Sequence, residues 1–161
     1  MENIELYKEF YFFEINRKHE LNKEINIPVL VLTIIVSINL FLFKQTMESL
    51  ILLIGELLSI ITFFGLLYAL YYLISSFSNF INNHNYREIA DMKTVYNYEL
   101  KNKDNENEFN NYLKEEFANC SSHNFNINKK RTENIAKSKR GIFFCLISTF
   151  LFSLVYIISI L

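Results

Sequence analysis

Three long apolar runs interrupt an otherwise polar chain. Residues 27–43 (IPVLVLTIIVSINLFLF), 50–74 (LILLIGELLSIITFFGLLYALYYLI) and 141–161 (GIFFCLISTFLFSLVYIISIL) share a single ionisable side chain, Glu56. At 1.5 Å rise per residue such runs reach roughly 25 to 37 Å, against a hydrocarbon core of about 30 Å. The pattern predicts one transmembrane helix over each run.

The polar stretches keep helical periodicity. Within 1–26, Leu6, Phe10, Phe13, Arg17 and Leu21 recur at steps of three and four with charges between them, which predicts an amphipathic helix entering the first span. Pro28 has no amide hydrogen for the Glu24 carbonyl, so a bend is expected where the two meet. After the second span, SSFSNFINNHN (75–85) reads as a polar exit. A helix is then predicted at about 86–101 from Tyr86, Ile89, Lys93, Tyr96 and Leu100, and NKDNEN (102–107) ends it. A further helix starts near Glu108 with Phe109, Tyr112, Leu113, Phe117 and Cys120 on its apolar side. It is expected to run unbroken into the third span, because no Gly or Pro intervenes before Gly141. SSHNFN (121–126) is its weak point, since Ser and Asn compete for backbone hydrogen bonds. The fold class is therefore an all-α membrane protein: three transmembrane helices with a small cytosolic helical domain drawn from 1–26 and 82–140.

Charge sets the orientation. Lys8, Arg17, Lys18 and Lys23 precede the first span, and Lys129, Lys130, Arg131, Lys137, Lys139 and Arg140 precede the third, whereas 44–49 holds only Lys44. The excess of basic residues places the N-terminus and 82–140 in the cytoplasm and the 44–49 hairpin outside. Because 26 polar and mixed-charge residues come before the first apolar run, that run is expected to be a retained signal-anchor.

Candidate chemistry is sparse. No GxSxG, HExxH, CxxC, Walker or Rossmann pattern occurs, and no enzyme activity, cofactor or metal site is expected. Cys120 falls in the cytosolic segment and Cys145 in a span, so they are not expected to pair. Glu56 is a candidate membrane site because an acid in a span is costly, although it stands only about 9 Å from the outer end and can snorkel. Near it, Ser59 and Thr62 lie on a small-residue stripe with Gly55 and Ala69. In the third span Thr149 and Ser153 share a side with Cys145 and Tyr156. Such stripes serve helix packing or line a polar path.

The stretch HNFNINKKR (123–131) carries the sharpest signal. Phe117, Cys120, Asn124, Asn128, Arg131 and Ile135 follow steps of three and four, so an apolar stripe turns polar as it approaches the membrane. Polar side chains in such order face a neighbour. With His123, they are the candidate residues for an interface, a gate or a ligand site.

The arrangement YKEFYFFEINRKHEL, a Pro-led first span, a second span, a Tyr-rich helix and HNxxxNxxR before a terminal span resembles small bacterial membrane proteins of antiphage defence. The membrane accessory proteins of type VI-B CRISPR systems fit best, and SLATT-type effectors of nucleotide-signalling defence systems share the general plan. The matching positions are Tyr7, Glu14, Arg17, Pro28, His123, Asn124, Asn128 and Arg131. That resemblance implies HEPN-like cytosolic helices and a homo-oligomeric ring with a pore in the bacterial inner membrane. It also implies a CRISPR RNase or a nucleotide second messenger as partner; direct sequence-specific nucleic-acid binding is not expected. A HEPN ribonuclease needs a His four to six residues after a helical Arg. Ala136 stands five residues after Arg131, and Arg17 and Arg87 lack such a His too, so RNA cleavage is not expected. A non-conducting anchor or scaffold that recruits a cytosolic complex is the alternative, and a membrane-bound HEPN-like ribonuclease stands third.

Overall fold

The computed structural model describes residues 2–44, 49–77, 85–103 and 105–160. They form five helices: α1 (Glu2–Glu24), α2 (Asn26–Phe43), α3 (Ser49–Ser76), α4 (Met92–Lys101) and α5 (Glu106–Ile160). No strand occurs among the described residues. Residues 45–48 of the expected outer hairpin and 78–84 of the polar exit lie outside them.

Helix α5 is the spine. Its 55 residues run without a break, and SSHNFN stays helical within it, with His123 and Asn124 bonding another segment instead of their own backbone. Helices α1 and α2 form nearly one rod, interrupted only at the buried Ile25. The break follows from Pro28, which cannot bond the Glu24 carbonyl; the helical ladder resumes when Val29 N donates to Ile25 O at 3.2 Å. Three helical stretches, Ile4–Phe43, Leu53–Ser76 and Glu106–Ile160, are long and apolar enough to cross a membrane. Leu30, Phe64 and Phe144 are each more than 60% exposed, so the outer surface of that half is itself apolar.

In the apolar half α3 lies close against α5, and the glycines explain how. A Cβ at Gly55 would stand 2.7 Å from the Phe152 ring, one at Gly65 2.6 Å from Cys145 Sγ, and one at Gly141 2.9 Å from Tyr68 and 3.1 Å from Ala69 Cβ. Small residues at all three places let the helices approach, the usual basis of association where water supplies no hydrophobic drive. Helix α2 adds Leu32 and Ile35 to a core shared with Ala69, Leu73, Ile135, Ile142 and Cys145.

Two expectations need correction. The helix expected from residue 86 begins at Met92, and 85–90 is irregular. Asp91 is the start signal: its carboxylate accepts from Thr94 N at 2.6 Å, which caps α4 and holds the Asp91 carboxyl below its usual range. The α1 stripe is also displaced. Of Leu6, Phe10, Phe13, Arg17 and Leu21 only Leu21 is buried, and the covered face is Tyr11, Glu14, Leu21 and Ile25. That face is set by its partners: Glu14 meets the Asn128 amide, Tyr11 the Phe117 ring, and Leu21 and Ile25 join the core that includes Ile135.

Candidate functional site: a buried polar relay on α5

Cys120, Asn124, Asn128 and Arg131 all lie on the side of α5 that the rest of the chain covers. Residues 85–88 run past this side, and α5 side chains hold their backbone. His123 Nε2 donates to Asn85 O at 2.8 Å. The Asn124 amide accepts from Arg87 N at 2.9 Å and donates to Arg87 O at 3.0 Å, as a neighbouring strand would. Cys120 Sγ donates to Glu88 O at 3.5 Å, and burial pushes that thiol up, which keeps it protonated. A non-helical segment leaves its peptide groups open, and here Cys120, His123 and Asn124 of α5 answer them.

Lower on α5, a chain of hydrogen bonds joins two opposite charges. Arg131 Nη1 donates to the Tyr86 hydroxyl at 2.9 Å, and that hydroxyl donates to Asn128 Oδ1. Asn128 Nδ2 then donates to Glu14 Oε2 and to the Glu14 carbonyl, both at 2.8 Å. Every donor points from Arg131 toward Glu14, an arrangement in which successive bonds polarise one another. Burial raises the Tyr86 hydroxyl above its ordinary value, against the opposing pull of Arg131, so Tyr86 remains a neutral donor. Glu14 is 4% exposed and Arg131 1%. Enclosing such groups is costly, and hydrogen bonds at each end offset that cost.

The remaining guanidinium donors reach two other elements. Nη2 donates to Asn22 Oδ1 of α1 at 2.6 Å, and Nε to the Ser76 carbonyl at 2.8 Å. Ser76 ends α3, so this carbonyl has no intrahelical donor; Asn134 Nδ2 answers the neighbouring Ser75 carbonyl at 3.1 Å. A cation at a helix C-terminus also complements its dipole. Arg131 therefore caps α3 while holding α1 and residue 86. Below it, Ser138 Oγ donates to Ala69 O at 2.9 Å and Lys139 pairs with Glu24 at 3.0 Å.

The predicted residues thus separate by role. His123, Asn124, Asn128 and Arg131 come together, and the neighbour they face is this same chain. Glu14, Asn22, Ser76 and Tyr86 complete the site and were not singled out as its members by spacing, because they lie on three other segments. In the apolar half, Thr62 donates to Ser148 Oγ at 3.0 Å and Asn39 Nδ2 to Thr149 Oγ1 at 2.7 Å. Ser153 donates to Thr149 O at 2.9 Å. Ser59 lines a cavity of about 340 Å³ between α2 and α3, where its hydroxyl and Asn39 Oδ1 lack hydrogen-bond partners among the described residues. Glu56 is exposed and apart from this cluster. Among the described residues no group of His, Cys, Asp and Glu is placed to hold a metal ion.

Fold and site together define a helical protein with three membrane-length apolar helices and a buried charge relay at the head of its apolar half. Comparison with protein-family models, with curated proteins and with solved structures finds no match.

Proposed function

We propose that the protein is an oligomeric membrane effector of antiphage defence, a pore or membrane-perturbing assembly of the bacterial inner membrane. In this reading the N-terminus and 82–140 face the cytoplasm, and a cytosolic partner or ligand gates the assembly. One observation carries it: Arg131 bonds the last carbonyl of α3 and, through Tyr86 and Asn128, reaches Glu14 in the polar half. A ligand or partner that favours another placement of 85–88 then acts directly on the end of a membrane-length helix, which is what a shift between two states requires. The half-buried Asn39 and the buried Thr62, Ser148 and Thr149 put hydrogen-bonding groups at the depth where a path would run.

The anchor or scaffold reading draws on the same cluster, since Thr62–Ser148 and Asn39–Thr149 bonds close within the chain as structural packing contacts do. Enclosure of Arg131 argues against a ribonuclease, whose arginine must meet a phosphate. The test is ion flux in liposomes with a potassium gradient and a potential-sensitive dye. The proposal expects depolarisation above protein-free vesicles. Inserted protein that leaves the gradient intact, with partner or candidate nucleotide present, establishes the anchor.

A further inference from the structure

The apolar stripe Leu6, Phe10 and Phe13 on α1 is left exposed by the chain, while Arg17 at its lower end turns to Thr132 of α5. Phe10 is 56% exposed and Phe13 58%, and Phe125 of α5 stands beside them at 46%. Together with Glu14, Arg17, Ser121, Ser122 and Asn126 they bound a cavity of about 470 Å³ between α1 and α5. Exposed aromatic side chains gathered around one groove mark a surface that something covers.

From this geometry we infer that the α1–α5 groove docks the same groove of a second copy, about a two-fold axis along the membrane normal. The inference rests on reading α2, α3 and the lower part of α5 as membrane spans, and stands whether or not ions flow. Height excludes lipid as the occupant. Phe13 precedes the α1–α2 joint by twelve residues and Phe125 precedes Gly141 by sixteen, which lifts both rings about 18 to 24 Å above the apolar half. A second copy anchored in the same bilayer holds its groove at that same height and in the same sense. Confinement to the membrane also raises its effective concentration.

Charge favours the two-fold. The outer side of α1 next to the groove carries Glu9 and Glu20, and the outer side of α5 carries Lys129, one turn below Phe125. Rotation about an axis along the normal sets each α1 opposite the α5 of its mate, so acidic and basic edges meet twice while the phenyl rings fill the centre.

Energy transfer in lipid vesicles tests this, with donor and acceptor dyes on separate copies of a Lys103→Cys variant. Efficient transfer is expected. Phe13→Glu and Phe125→Glu, both at exposed positions, should each raise the protein-to-lipid ratio for half-maximal transfer at least about tenfold with unchanged helical content. Glu20→Lys and Lys129→Glu should each weaken transfer about threefold, and the double exchange should restore it. Absent transfer in folded, inserted protein overturns the inference. So does transfer indifferent to both Phe substitutions, or a groove filled by an added nucleotide or cytosolic protein while the copies stay apart. The liposome flux assay is separate, so a failure of either leaves the other legible.

Discussion

The two halves of α5 hold their neighbours by opposite means. In the apolar half, contact depends on what is missing: Gly55, Gly65 and Gly141 have no side chain, and α3 settles against α5 through the space they leave. In the polar half, contact depends on long side chains that reach backbone groups, with His123, Asn124 and Arg131 answering carbonyls of 85, 87 and 76. The first arrangement resists added volume and the second resists lost hydrogen bonds. A single helix can therefore fail in two distinguishable ways, and substitutions along it should sort by which half they strike.

The largest effect is expected at Arg131. Arg131→Ala leaves the Ser76 carbonyl and the Tyr86 hydroxyl without their donor, at about 1 to 3 kcal/mol each, and so about 2 to 6 kcal/mol in all, while the exposed Asn22 turns to water. Thermal unfolding in detergent micelles should show it, while the exposed Lys130→Ala should stay within about 0.5 kcal/mol. Equal losses would place the strength of this region outside the relay. Next comes Gly141→Leu, whose side chain must displace Tyr68 and Ala69, at about 1 to 3 kcal/mol. A cysteine pair cross-linking α3 to α5 below residue 141 should lose yield in this variant yet keep it in Asn124→Ala.

Asn124→Ala should act locally. It removes both partners of the Arg87 peptide groups at about 1 kcal/mol, and amide exchange at Arg87 should accelerate while the α3–α5 contact is untouched. The smallest effect concerns pH. Tyr86 is raised above 10.0 in the folded chain, so above that value the unfolded chain releases this proton first and the folded chain holds more protons. Its contribution is intact below about 10 and declines as pH rises beyond it. Tyr86→Phe should remove that part of the alkaline decline; an unchanged profile would assign the decline to other groups.

Much of this contrast is readable from residue order. The unbroken run from Glu106 to Ile160 follows from the absence of Gly or Pro before Gly141, and the buried face through Cys120, Asn124, Asn128, Arg131 and Ile135 follows from helical spacing. The partners were harder to read. Spacing along one helix says that a face is covered, and gives no information about which distant backbone covers it, so Ser76 and Tyr86 were not found. Tyr86 and Ile89 fit the helical step that the rest of 86–101 keeps, and that spacing carries no information about the Asp91 cap at which α4 starts. On α1, the three-four spacing of Leu6, Phe10 and Phe13 marks an amphipathic helix, and nothing in it says that Tyr11 and Glu14 are the residues with partners on α5.

The length of α5 gives its charge cluster a mechanical meaning. Arg131 sits near the middle of a rod of about 82 Å, with close to 40 Å of helix on either side. The guanidinium fastens that midpoint to three other segments, and below it Gly141, Cys145 and Phe152 press on α3, so a sideways push near Glu106 reaches Ile160 by carrying α3 along, as a lever turns its load. A tilt of about 3° about this fulcrum carries each end about 2 Å, the size of the helix shifts that switch other proteins between states.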